Sequence, residues 1–273
     1  MIEFLRDWFL NLIQTTTLAF LQGLTEFLPI SSSGHLILTP IFLGWRDQGL
    51  IIDVAVHIGT LGAVIIYLRR EVWGIISSLA NIKKDHLNDG AKLSYLLLIA
   101  SLPVFIVGVI VKFYIGVGIR IPLIIGWSFI IGGILLYLSD LIGKTKKDLA
   151  NFRIFDAILI GLAQAFAIIP GASRAGTTVT MARFLGYKRD EAARISLLLS
   201  IPAILGAGVV LGIEMIESAS PLLIYHVFWG TIVAFITAMF AISIMMNWLK
   251  QNNYTPFVIY RLCLGIVILW FAA

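Results

Sequence analysis

Long apolar segments alternate with short polar ones along the whole chain. A transmembrane helix requires about 20 consecutive, largely apolar residues. Six segments have this character, and they cover residues 50–68, 94–111, 121–139, 195–213, 222–248 and 256–273. The last of them also contains Arg261. The pattern predicts an all-α polytopic membrane protein with six transmembrane helices.

Two further apolar stretches are interrupted by prolines, glycines and polar residues. Residues 8–43 are interrupted around Pro29, and residues 157–185 around Pro170. Each stretch holds two short apolar runs, and neither run comfortably crosses about 30 Å of hydrocarbon. Irregular backbone at membrane depth persists only where protein or a water-filled cavity satisfies its polar groups. We therefore predict two re-entrant helical hairpins whose tips meet inside the protein.

The order of these segments suggests an internal repeat, because a hairpin and three spans are followed by a hairpin and three spans. Pro29 and Pro170 are each followed three residues later by a serine, which is Ser32 in the first stretch and Ser173 in the second. Three spans is an odd number, so the second half enters the membrane from the opposite side. This predicts one membrane domain built as an inverted-topology repeat (1–141 and 142–273), with its site where the hairpins meet.

Composition agrees with a membrane protein and excludes several other classes. The chain has 273 residues, of which 59% are hydrophobic and 13% are charged, whereas soluble domains carry about 45–50% and about 25%. A soluble enzyme, a disordered chain and a collagen-like fibre are excluded on this ground. The net charge of +5 does not indicate nucleic acid, because the basic residues lie between apolar segments. The single cysteine, Cys263, excludes an intramolecular disulfide and a cysteine-based metal cluster.

The basic residues also predict the orientation. Fourteen lysines and arginines fall on one side of the predicted spans and only four on the other. The positive-inside rule assigns the first side to the cytoplasm, which leaves both termini outside.

The first interrupted stretch carries a dense polar cluster. Gln22 and Glu26 are four residues apart and share one helical face, and the polar residues that follow are Ser31, Ser32, Ser33 and His35. A buried carboxylate costs several kcal/mol unless it is paired. A carboxylate, three hydroxyls and an imidazole exceed what a helix cap needs, so we favour a functional site over a self-satisfied helix break.

The second interrupted stretch carries Ser173, Arg174, Gly176 and Thr178. Small residues let the backbone approach a ligand, and a helix N-terminus binds anions. An arginine at membrane depth costs about 2.5–3.5 kcal/mol or more and requires an anionic partner. That partner is either Glu26, in a structural ion pair, or a phosphate, and the two alternatives are compatible. Together the clusters favour phosphoryl transfer, in which positioning and charge neutralisation supply most of the rate.

The segments LQGLTEFLPISSSGHL and PGASRAGTT closely resemble the two signature motifs of the bacitracin-resistance family of undecaprenyl-diphosphate phosphatases. The resemblance implies hydrolysis of undecaprenyl diphosphate to undecaprenyl phosphate and inorganic phosphate, which recycles the lipid carrier for peptidoglycan synthesis and confers bacitracin resistance. It also implies a multi-pass protein of the bacterial plasma (inner) membrane, a divalent cation such as Mg²⁺ or Ca²⁺, and a site that faces the extracytoplasmic side.

The resemblance assigns roles position by position. It implies that Glu26 handles a metal or a proton, that Ser32 is a nucleophile or substrate ligand, and that His35 is a general acid/base or nucleophile. It implies that Arg174 binds the diphosphate and acts in catalysis. The remaining substrate-binding positions are Gln22, Ser31, Ser33, Ser173 and Thr178. The family often has glutamate where this chain has Gln22, so the metal assignment rests on Glu26 alone.

Some alternatives remain open at this point. Inverted repeats with discontinuous helices also occur in transporters, so a transporter or flippase of a phosphorylated polyprenyl lipid is the second hypothesis. Asp53 and His57 either line the pocket or form a hydrogen-bonded pair. Tyr260 and Arg261 either hold the hairpins or snorkel to the membrane edge. The expected partners are the polyprenyl diphosphate substrate and the bilayer, with no nucleic acid, and a homo-oligomer is left open.

Overall fold

A computed structural model describes residues 2–45, 49–80, 89–114, 121–215 and 221–272. Within these residues the chain forms eleven α-helices, which are α1 (Ile2–Thr25), α2 (Ser32–Leu43), α3 (Leu50–Tyr67), α4 (Arg69–Ala80), α5 (Asp89–Tyr114), α6 (Pro122–Ile142), α7 (Ile154–Ala165), α8 (Arg174–Phe184), α9 (Arg189–Met215), α10 (Pro221–Leu249) and α11 (Thr255–Ala272). The all-α prediction is therefore confirmed. Four of the basic residues used for the orientation, Arg46, Lys83, Lys84 and Arg120, lie outside the described residues.

Four helices in the described part of the chain are long and apolar enough to cross a membrane: α5, α6, α10 and α11. They contain most or all of the predicted spans 94–111, 121–139, 222–248 and 256–273. Helices α3 and α4 together count as a fifth candidate, although they are bent by 85°. The predicted span 195–213 lies within α9, which is not among these helices, so the number six stays a prediction. The chain is a multi-pass membrane protein.

The segment between the predicted spans 50–68 and 94–111 begins with helix α4, which the apolar pattern did not predict. Two contacts place this helix. The Glu71 carboxylate pairs with the Arg194 guanidinium of α9. Gly90 of α5 lies against Gly74, so close that an added Cβ would be 2.5 Å from the Gly74 carbonyl oxygen. The sequence did not predict α4, because Arg69 and Arg70 end the apolar segment at the point where the helical chain bends by 85°.

Each interrupted stretch forms two helices that are separated by a turn. Helices α2, α7 and α8 have 12, 12 and 11 residues, which at about 1.5 Å per residue gives roughly 16–18 Å. These three arms are too short to cross a bilayer, as predicted. The prediction was wrong for the first arm, because α1 has 24 residues and reaches about 36 Å.

The first arms of the two stretches pack in equivalent ways. Helix α1 lies along α10, and α7 lies along α5. A Cβ added to Gly23 of α1 would be 2.6 Å from the Ala234 carbonyl oxygen, and one added to Gly161 of α7 would be 2.5 Å from that of Ala100. Both helix pairs therefore need glycine at the crossing. Helix α6 pairs with α11, and α3 contacts α9.

A buried ionic cluster joins the helix ends behind the second turn. One oxygen of Asp140 accepts hydrogen bonds from Arg183 (3.1 Å) and Arg189 (2.7 Å), and the other accepts one from the Tyr254 amide (3.1 Å). In the loop beside it, burial and then the Asp156 carboxylate raise the pKa of Tyr187. The Tyr187 hydroxyl thus stays protonated and donates to Asp156 at 2.7 Å. These bonds fix α8, which carries Arg174.

Candidate active site

Two unusual serine turns begin helices α2 and α8. Ser31 and Ser173 are the N-cap residues, and both have positive φ (73° and 70°), the left-handed region that non-glycine residues rarely adopt. Each side chain accepts a hydrogen bond from the amide of the glycine three residues later, at 3.4 Å from Gly34 and 3.0 Å from Gly176. The turns are therefore equivalent, and Ser31 corresponds to Ser173. The prediction that Ser32 corresponds to Ser173 was wrong by one residue.

Arg261 of α11 holds both turns together. Its guanidinium is fully buried and donates to the carbonyl oxygens of Pro29 in the first turn (3.1 Å) and Gly171 in the second (3.0 Å). It also donates to Ser128 (2.9 Å) and Phe129 (3.2 Å) of α6. Of the two alternatives for this residue, the structure supports the structural one, because Arg261 joins the two turns instead of extending to the membrane edge.

Glu26 is the centre of the polar cluster between the turns. Its Oε1 accepts a hydrogen bond from Arg174 Nη2 at 3.2 Å, so the predicted ion pair between the two stretches is present. Its Oε2 accepts from the Ser32 hydroxyl at 2.5 Å and from the Gln22 amide at 2.9 Å. The second terminal nitrogen of the guanidinium, Arg174 Nη1, donates to the Ser196 carbonyl oxygen at 3.0 Å. The carboxylate and the guanidinium are thus held face to face by neutral partners.

These groups line an open pocket of about 220 Å³. Its polar lining consists of Glu26, Ser31, Ser32, Ser33, His57, Ser173 and Arg174. Its apolar lining consists of Val104, Ala167, Ile168, Ala203 and Ile204. The N-termini of α2 and α8 both open into it, and helix N-termini attract anions. The pocket therefore combines an anion site with an apolar wall.

Three predicted site residues are not among those that line the pocket: Gln22, His35 and Thr178. Gln22 lies behind Glu26 and donates to it. The Thr178 hydroxyl lies 2.8 Å from both the Arg174 carbonyl oxygen and Ser196 Oγ, and so braces the start of α8. The His35 ring is hydrogen-bonded on both sides, to the Ser31 carbonyl oxygen and the Tyr260 hydroxyl.

The imidazole that lines the pocket belongs to His57 of α3. Its Nε2 lies 3.8 Å from Glu26 Oε2, and its Nδ1 lies 2.6 Å from the Asp53 carbonyl oxygen. The sequence left open whether Asp53 and His57 line the pocket or form a hydrogen-bonded pair. Each alternative is partly met, because His57 lines the pocket and its ring also bonds to the Asp53 backbone. The only sequence signal was a polar pair four residues apart in an apolar helix.

The oxygen ligands near Glu26 fit a divalent cation that the substrate helps to hold. No group of three or more His, Cys, Asp or Glu side chains gathers within the described ranges, so a cage of such ligands is not formed there. The Gln22 carbonyl oxygen Oε1 is buried and accepts no hydrogen bond from those residues. Mg²⁺ typically uses one or two carboxylates, waters and substrate phosphates. One carboxylate with a spare amide oxygen meets that requirement.

The fold and the site together define a class: a multi-pass helical membrane protein with a pocket at two helix N-termini, in which a serine hydroxyl bonds to a carboxylate opposite an arginine.

Comparison with known proteins narrows this class to a family. Residues 15–267 match the family described as bacitracin resistance protein BacA. The undecaprenyl-diphosphatase of Jannaschia sp. (strain CCS1) is 45% identical over 263 residues, which is 95% of this chain and 98% of the relative. That of Alcanivorax borkumensis is 44% identical over 268 residues, which is 98% and 100%. That of Dinoroseobacter shibae is 43% identical over 262 residues, which is 95% and 98%. The chain belongs to the BacA family.

Proposed function

We propose that this chain is an undecaprenyl-diphosphatase, which hydrolyses undecaprenyl diphosphate to undecaprenyl phosphate and inorganic phosphate. The observation that carries the proposal is the Ser32 hydroxyl, 2.5 Å from the Glu26 carboxylate in the pocket that Arg174 lines. The anion site takes the diphosphate, and the apolar wall takes the first part of the polyprenyl chain. The reaction recycles the lipid carrier for peptidoglycan synthesis, and overproduction of the enzyme gives bacitracin resistance.

Arg174 and the serine turns bind the diphosphate. A guanidinium binds phosphate oxygens in a planar, two-pronged geometry. When substrate binds, the hydrogen bond from Arg174 Nη2 to Glu26 is replaced by one to a phosphate oxygen, while the bond from Nη1 to Ser196 keeps the guanidinium oriented. The first residues of α2 and α8, together with the hydroxyls of Ser31, Ser33 and Ser173, surround the same oxygens.

Ser32 and Glu26 carry out the chemical step. Ser32 Oγ attacks the terminal phosphorus, its proton passes to Glu26, and the bond from that phosphorus to the bridging oxygen breaks. The bridging oxygen leaves with undecaprenyl phosphate and takes the proton from Glu26, which becomes a carboxylate again. Water then attacks the phosphoserine, and Glu26 removes a proton from the water. Glu26 returns this proton to Ser32 Oγ as the bond from Ser32 to phosphorus breaks and inorganic phosphate is released. Arg174 neutralises the charge on the transferred group throughout.

Glu26, with the Gln22 carbonyl oxygen, is the place in this chain where a divalent cation would be held. When bound, such an ion (Mg²⁺ or Ca²⁺) would supply charge neutralisation for the diphosphate oxygens. The support for this part of the proposal is the Glu26 carboxylate in the pocket and the buried Gln22 oxygen, which has no hydrogen-bond partner among the residues that the structure describes.

The proposed topology is six spans with two re-entrant hairpins, arranged as an inverted repeat within one membrane domain (1–141 and 142–273). The equivalent serine turns, and the packing of α1 on α10 and of α7 on α5, support the repeat. The three short arms support the hairpins.

The second hypothesis, a transporter or flippase, requires anion contacts but no nucleophile, so the Ser32–Glu26 bond favours an enzyme. Product analysis in detergent separates the two, because micelles have no second compartment. We expect wild-type protein to convert undecaprenyl diphosphate to undecaprenyl phosphate over many turnovers. Recovery of unchanged lipid, with translocation in proteoliposomes, would establish the transporter instead.

We expect the pocket to open to the extracytoplasmic face of the bacterial plasma (inner) membrane, because the basic loops mark the cytoplasmic side. Ser33 lines the pocket and is exposed, and Lys146 is exposed in the opposite loop. In a Cys263→Ser background, an impermeant thiol reagent should label Ser33→Cys in intact cells but label Lys146→Cys only after permeabilisation. Labelling of Lys146→Cys in intact cells would reverse the orientation.

A further inference from the structure

The two serine turns differ in how their carbonyl oxygens are held. In the second turn, the Thr177 amide donates to the Ser173 carbonyl oxygen at 2.8 Å. In the first turn, the equivalent bond from the His35 amide to the Ser31 carbonyl oxygen is stretched to 3.4 Å. There the His35 ring takes over, with Nδ1 2.7 Å from the same oxygen. The imidazole thus supplies the contact that the backbone makes in the other turn.

The hydrogen bonds of His35 also define its protonation. A carbonyl oxygen only accepts hydrogen bonds, so Nδ1 carries the hydrogen. Nε2 lies 2.6 Å from the Tyr260 hydroxyl, and in a neutral ring with hydrogen on Nδ1 it accepts the hydroxyl hydrogen. Tyr260 stacks on the ring at 5.7 Å between centroids, and Phe129 approaches it edge-on at 5.8 Å. The ring is 9% exposed, and both of its nitrogens are occupied.

Both turns are strained, but only in the first is the backbone hydrogen bond to the serine carbonyl oxygen stretched, so the first turn needs this support. A non-glycine residue with φ of 73°, as Ser31 has, is strained and persists only where its surroundings enforce it. Ser32 follows directly, and its hydroxyl must point at Glu26. A displacement of about 1 Å in a reacting group costs as much as 100-fold in rate.

From these contacts we propose that Tyr260 is a positioning residue of the active site, which acts through His35 on the strained Ser31 carbonyl and thereby aims the Ser32 hydroxyl. Two consecutive residues of α11 then set the site: Arg261 joins the two turns, and Tyr260 fixes the first. In this account His35 is also a positioning residue, which replaces the general acid/base role predicted from the sequence. The inference rests on the proposed phosphatase activity.

The kinetic test uses variants that separate positioning from proton transfer. Tyr260→Phe removes only the hydroxyl and should lower kcat about tenfold with little change in KM. The amide of asparagine places an N–H where Nδ1–H lies, whereas that of glutamine places it where Nε2 lies. His35→Asn should therefore remain within about tenfold of wild type, while His35→Gln and His35→Ala should lose about 100-fold. Tyr137→Phe, on the exposed face of α6, is the matched control and should be unchanged.

The double variant tests whether Tyr260 acts through His35. In a His35→Asn background, Tyr260→Phe should cause no further loss, because its target is gone, whereas independent effects would multiply. The inference is overturned if His35→Asn is as inactive as His35→Ala while both remain folded, if Tyr260→Phe equals wild type, or if the two effects multiply. If wild type itself releases no phosphate, it is the proposed function that fails.

A measurement that does not depend on turnover tests the geometry itself. In ¹⁵N-histidine NMR, the resonances lost in His35→Asn should report a protonated Nδ1 and an unprotonated Nε2. Tyr260→Phe should shift the Nε2 resonance. A ring with hydrogen on Nε2 instead, or with no response to Tyr260→Phe, contradicts the relay.

Discussion

Arg174→Lys is expected to fold and to release phosphate about 10²–10³ times more slowly than wild type. The guanidinium holds two partners at once, with Nη1 on the Ser196 carbonyl and Nη2 on Glu26. Lysine keeps the charge but has a single nitrogen on a flexible stem, so it cannot stay anchored while it contacts phosphate. The measurement is kcat for phosphate release by purified protein, with thermal unfolding as the check on folding.

Arg153→Lys is the matched control, because Arg153 is exposed in the loop before α7 and lies outside the pocket. It should retain wild-type activity. If Arg174→Lys also retains that activity, Arg174 does not clamp the diphosphate, and only its ion pair with Glu26 remains.

Glu26→Gln is expected to reduce phosphate release to the uncatalysed background. An amide cannot accept the Ser32 proton, and it carries no charge to hold a divalent cation. The substitution also removes the pocket's only carboxylate among the described lining residues and leaves Arg174 without its anionic partner. The measurement is phosphate release across a titration with Mg²⁺ and with Ca²⁺.

Two further variants make the Glu26 result specific. Glu71→Gln makes the same chemical change in an ion pair outside the pocket and should remain active. Gln22→Glu places a second carboxylate where an amide now donates to Glu26, so the variant should bind the cation more tightly and reach half-maximal activity at a lower cation concentration. Wild-type rate and metal dependence in Glu26→Gln would show that the base and the metal site lie elsewhere.

The Glu26–Arg174 pair was predictable because each is an isolated charge in apolar sequence. A charge at membrane depth is costly unless it pairs with an opposite charge. The interrupted patterns around Pro29 and Pro170 indicated which two segments would bring this pair together. The four helices that are long and apolar enough to cross a membrane were predictable for a related reason, since their apolar length exceeds anything a turn or a core strand requires.

Other features depend on contacts that no local pattern reveals. The first turn has three consecutive serines, so the distance from proline could not tell whether Ser31 or Ser32 caps the helix. His35 turns away from the pocket because of Tyr260, which lies 225 residues further along the chain. His57 reaches the pocket because α3 packs beside α1 and α9. Each of these depends on tertiary packing.

The most direct test of the account is release of inorganic phosphate from undecaprenyl diphosphate by detergent-purified protein, measured side by side for wild type and Glu26→Gln. The account predicts many turnovers by the wild type, with undecaprenyl phosphate formed in equal amount, and background release by the variant. Equal release by the two proteins, or none by either, would contradict it.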